Sequence, residues 1–156
     1  MCKKIHRGGN AEQYNADKKY KEAVAVAVEA CAEDTKGQTY GEEHRETLIE
    51  ADNYALTLID PQHFEEARSL TRTMLPVTRR VFGASHDATI RMSRSYAKAL
   101  YRNPAATLAE LREAVTTLED TTRIARRVLG GAHPLTIDIE DDLQDARAAL
   151  YARGLP

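Results

Sequence analysis

The chain has 156 residues, 29% of them charged, with a net charge of −2. That is one domain's length of chain, with no global bias toward nucleic acid or an anionic membrane. No apolar run approaches the ~20 residues of a membrane span. The basic start, Met1-Cys2-Lys3-Lys4-Ile5-His6-Arg7-Gly8-Gly9, leads into no signal-peptide core.

Breakers at Gly8-Gly9, Lys36-Gly37 to Gly41, Asp60-Pro61, Gly83, Asn103-Pro104, Gly130-Gly131 and Gly154 to Pro156 divide the chain. Between them apolar residues recur at intervals of three and four, as in Leu48, Ala51, Tyr54, Ala55 and Leu58, and then in Ile90, Tyr96, Ala97 and Leu100. The spacing predicts helices over 10–16, 19–35, 44–60, 62–82, 86–102, 105–129 and 133–153, and an all-α chain rich in Ala, Leu, Glu and Arg. Pro134 falls in a first helical turn, where its missing N–H costs nothing. Pro76 falls mid-helix and is expected to kink 62–82. The last helix carries Asp138, Glu140, Asp141, Asp142, Asp145 and Arg147, which predicts a polar-faced cap over the core.

A longer period lies over these elements. Gly41-Glu42-Glu43-His44-Arg45-Glu46-Thr47-Leu48, Gly83-Ala84-Ser85-His86-Asp87-Ala88-Thr89-Ile90 and Gly130-Gly131-Ala132-His133-Pro134-Leu135-Thr136-Ile137 share the pattern G-x-x-H-x-x-T-[L/I], spaced by 42 and 47 residues. A second word precedes each: Tyr20-Lys21-Glu22-Ala23, Phe64-Glu65-Glu66-Ala67 and Leu111-Arg112-Glu113-Ala114. In the last two copies it stands 22 residues before the His. A period of 20 to 50 residues predicts an α-solenoid, in which antiparallel helical hairpins bury their apolar faces only by stacking. The units are a flexible start over 1–9, a partial unit over 10–40, full units over 41–82 and 83–129, and the capping helix over 133–153.

The run from Phe64-Glu65-Glu66-Ala67 through Arg79-Arg80-Val81-Phe82-Gly83 to His86 resembles the tetratricopeptide repeats (TPR) of kinesin light chain. So does the run from Leu111-Arg112-Glu113-Ala114 to Arg126-Arg127-Val128-Leu129-Gly130-Gly131-Ala132-His133-Pro134. Asn53-Tyr54-Ala55 matches the N-[L/Y]-A core of that family, and Ser95-Tyr96-Ala97 keeps two of its three residues. The chain departs from the family at Asp142-Leu143-Gln144 and in a five-residue insertion around Asn103 to Leu108, as a diverged relative would and not as a kinesin light chain itself. The resemblance implies a TPR-like superhelix of ~42-residue repeats. It also implies a concave groove, lined by the first helix of each hairpin, that holds an extended peptide.

The residues offer little to catalysis. His44, His86 and His133 stand one per repeat, ~10 Å apart at successive helix starts, which suits loop caps better than a metal site. Cys2 and His6 have no second pair of ligands, and Cys31 lies in an Ala-rich segment as a small packed residue. No phosphate loop, nucleophile elbow or H-E-x-x-H motif is present. The expectation is a non-enzymatic protein-interaction module, cytoplasmic, with no cofactor, no metal and no nucleic acid, whose partner is a protein or peptide segment.

Arg91, Arg94, Lys98 and Arg102 form one basic stripe at helical spacing. By family register this stripe faces the groove, so the peptide-contact candidates are Asn53, Leu56, Arg91, Arg94, Ser95, Lys98, Tyr101 and Arg102. Two alternatives stand beside that expectation. The acidic residues of the neighbouring helices, Asp52 and Asp60 on one side and Asp138, Asp141, Asp142 and Asp145 on the other, could neutralise the stripe within the chain. The protein could also be a structural subunit that packs, or self-associates, through its truncated N-terminal edge.

Overall fold

The computed structural model describes residues 45–59 and 63–154. The helices expected over 10–16 and 19–35, the partial unit, the flexible start, Cys2, Cys31, His44 and Asp60 lie outside the described residues. Those described form five α-helices and no strand: α1 (Arg45–Ile59), α2 (Phe64–Phe82), α3 (Asp87–Tyr101), α4 (Leu108–Val128) and α5 (Pro134–Gly154). None of them is long and apolar enough to cross a membrane.

The repeated words build the connections between these helices. Gly83 and Gly130 both hold positive φ, +92° and +91°, where an L side chain is strained. Three residues later His86 and His133 cap the next helix: Nδ1 of His86 accepts from the backbone N–H of Ala88, and Nδ1 of His133 from that of Leu135, each at 3.2 Å. The Thr of each word, Thr47, Thr89 and Thr136, is buried, and the Thr89 hydroxyl donates to the Gly83 carbonyl at 2.7 Å. G-x-x-H-x-x-T is therefore a hairpin connector, and its described histidines are spent on capping.

The expected helix at 105 begins instead at Leu108. Thr107 and Glu110 form a reciprocal capping box there: the Thr107 side chain accepts from the Glu110 N–H, while Glu110 accepts from the Thr107 N–H at 2.7 Å. The Thr107 N–H, joined by the Thr107 hydroxyl donating to the same Oε2, holds the Glu110 carboxyl below its ordinary range. Helix α2 runs unbroken across Pro76, which is exposed.

Each helix packs against its neighbours in sequence. In addition α3 packs against both α1 and α5, whereas α2 and α4 approach each other only through side chains, where Arg68 of α2 donates to the Glu110 carboxylate of α4. The odd-numbered helices thus lie side by side with α3 central, and α2 and α4 flank a gap that this ion pair bridges at one end. Small residues permit the close crossings, with Ala55, Ala67, Ala97, Ala114, Ala125 and Ala146 fully enclosed. Larger side chains, among them Leu48, Leu70, Ile90, Met92, Leu111, Leu118 and Ile139, fill the space between.

On helix α5, Asp141, Asp145 and Arg147 are exposed. Asp138 and Asp142 turn toward α3, and Glu140 pairs with Arg126 of α4 at 2.6 Å. Its outward side shows Ile137 and Tyr151, 46% and 70% exposed. Leu48 and Ile90 hold the same place in their words as Ile137 but are covered by following helices. After α5 no described helix plays that part.

Candidate functional site

The central helix α3 holds the basic stripe, and the structure splits it in two. Arg91 and Arg102 are exposed, Arg91 pairing among the described residues with Asp87 one turn away, at 3.5 Å. Arg94 and Lys98 are mostly covered and turn to α5. The Arg94 guanidinium donates from Nε to Oδ2 of Asp142 and from Nη1 to Oδ2 of Asp138, the latter at 3.0 Å. Nζ of Lys98 lies 3.7 Å from Oδ1 of Asp142. The Tyr101 hydroxyl donates to that same oxygen at 2.7 Å.

Asp142, 5% exposed, is thus the hub of a network of three donors from one neighbouring helix. Burial, the hydrogen bond to Asp142 and that residue's negative charge push the Tyr101 phenol far above its ordinary range. A phenol so held is a donor and no acid.

On the opposite flank of α3, Ser95 is buried and lies beside the Asp52 carboxylate of α1. Asp52 is 7% exposed, and its Oδ1 has no hydrogen-bond partner among the described residues. Burial raises its pKa from 3.8 to about 6, against the opposing pull of Ser95, Arg91 and Arg94.

The eight sequence-derived contact residues therefore do not share one open face. Asn53, Leu56, Arg91 and Arg102 are exposed. Arg94 and Lys98 are largely spent on Asp142, so for this half of the stripe the neighbouring helix does neutralise the charge. Ser95 and Tyr101 are buried, each turned to a carboxylate of an adjacent helix, and can meet no ligand without opening the helix packing. Sequence reasoning did not single out Ile49, 40% exposed, which lies one helical turn before Asn53 and two before Leu56. Its i, i+4, i+7 spacing was legible as a row, but whether the row faced in or out was not.

The chain matches no protein-family model, no curated protein and no solved structure. The geometry of α1, α3 and α5 carries the functional reading.

Proposed function

We propose that this chain is a TPR-like helical-repeat module that binds a partner segment and catalyses no reaction. The partner lies across the side formed by α1, α3 and α5. Three features support a repeat arrangement: the connector with its glycine and capping histidine recurs, helices pack with their sequence neighbours, and the described odd-numbered helices also pack closely on one another. A stack of hairpins offers a broad shallow surface suited to an extended ligand.

One observation carries the choice of face. Ile49, Asn53 and Leu56 make an outward row on α1, with both aliphatic members 40% exposed, and Arg91 stands on the adjoining helix close enough to act on Asp52, the residue before Asn53. An apolar row with an amide and a cation beside it suits a segment that presents an apolar side chain, its own backbone and a carboxylate. Arg94 and Lys98 play a different part, since they hold Asp142.

The test is selection of peptides from a random display library on the immobilised protein, followed by binding to single variants that retain wild-type helicity. Leu56→Asp, Asn53→Ala and Arg91→Glu should each weaken the selected peptides, by about tenfold where the residue is a hot spot. Peptides that bind all three variants as tightly as the parent would move the interface elsewhere.

A further inference from the structure

On the side away from α1 and α5, the gap between α2 and α4 forms an open cleft of about 530 Å³. Buried Ile90 and Ser93 of α3 lie at its base, and Arg79 of α2 with Arg123 and Arg127 of α4 lie along its walls. Asp120 is the one carboxylate in the lining and pairs with Arg123 at 3.4 Å. Arg79 and Arg127 have no ion-pair partner among the described residues. The cleft thus carries excess positive charge.

The outward face of α5 is its complement. Ile137, Ala148 and Tyr151 form an exposed row at helical spacing, with Asp141 and Asp145 beside them. Neither carboxylate takes part in an ion pair among the described residues, and α5 packs only on α3 and α4.

We propose that the occupant of the α2/α4 cleft is the outward face of α5 from a second copy of this chain, with Asp141 and Asp145 meeting Arg79 and Arg127. The lining favours this over a nucleic acid strand, because it contains no aromatic ring on which a base could stack. The two surfaces lie on different parts of one molecule, so the contact is head-to-tail: each chain that accepts an α5 still offers its own, and the assembly grows without closing at two. This self-association is independent of the peptide face on α1 and α3.

The experiment is light scattering on the full chain over a concentration series, at low salt and at 0.5 M NaCl. The mass should rise past that of two chains at low salt and fall toward one at high salt, because rim ion pairs are screened. Arg79→Asp with Arg127→Asp should give monomers, as should Asp141→Arg with Asp145→Arg. An equimolar mixture of these two double variants should again grow past two chains, since the acidic α5 of one meets the basic cleft of the other and the basic α5 meets the acidic cleft. A control double variant outside both surfaces, Ser69→Glu with Thr73→Glu, should leave the mass unchanged provided it keeps parental helicity. A parent that stays monomeric at low salt overturns the proposal. So does an oligomer that survives either charge reversal, or a mixture of the two folded double variants that fails to associate.

Discussion

The hydroxyl of Tyr101 in α3 donates to Oδ1 of Asp142 in α5 at 2.7 Å, 41 residues away in sequence and buried in the seam between the helices. Arg94 and Lys98 come to the same carboxylate. Asp142→Ala leaves three donors without their acceptor in a largely water-free place. Losing one partner of a buried ion pair costs about 3 kcal/mol, and the melting temperature should fall by on the order of 10 °C. Calorimetry of parent and variant checks this; a change within about 0.5 kcal/mol, the range of ordinary surface substitutions, would mean that the network holds nothing.

Tyr101→Phe is the milder form of the same test. The ring stays and one hydrogen bond to a charged acceptor goes, a loss of about 1.5 kcal/mol. Urea denaturation should show a lower midpoint at unchanged slope, because the surface exposed on unfolding is the same.

Asp52 makes a prediction in pH. Its folded pKa, about 6, lies above its ordinary 3.8, so between those values the folded state binds more protons than the unfolded one. Stability from this group is therefore greatest below its ordinary pKa and declines as pH rises through about 6, by up to about 3 kcal/mol in all. Asp52→Asn cannot ionise and should lack this decline. Urea midpoints for parent and variant, measured at about pH 4.5 and 7.5, should converge at the acid end and favour the variant more at the neutral end. Parallel pH profiles would refute it.

Gly83 adopts φ +92° and ψ 157°, a region that is essentially glycine's own, and nothing lies within 4 Å of where a Cβ would stand. Gly83→Ala should therefore cost the backbone strain alone, about 1–3 kcal/mol, with no steric clash to add to it. Thermal melts of this variant and of Gly130→Ala, at φ +91°, should show losses of the same sign. A neutral result at both would mean that the connectors relax freely.

Thr107→Ala removes one half of the capping box on α4 and should cost about 1 kcal/mol. It should also remove the hydroxyl that donates to Glu110 Oε2 while leaving the stronger backbone N–H bond in place, so the Glu110 side-chain NMR titration moves only part of the way up toward the ordinary carboxylate value. Thr107→Ser keeps the hydroxyl and should leave both readings near those of the parent.

The five described helices were legible from the sequence to within one to three residues at each end, and the reason is local. Apolar spacing, Gly at the stops, His or Thr at the caps and Pro134 in a first turn all act within a few residues. The signal T-x-x-E at Thr107 to Glu110 was also present, and it places the start of α4 at 108 rather than 105. The recurrence of G-x-x-H-x-x-T marks each connector for the same local work.

What only the tertiary structure decided was how the charges were spent. Arg91, Arg94, Lys98 and Arg102 look alike as a stripe, yet two remain open and two are drawn to α5. The difference depends on the rotation of α3 relative to a helix more than 40 residues away. A few tens of degrees about the axis separate a solvated guanidinium from one held by Asp142. The same rotation enclosed Ser95 and Tyr101, and the orientation of α1 left Ile49 and Leu56 outside. Sequence determined that these residues share helices; the packing of α1 and α5 on α3 decided which of them a partner can reach.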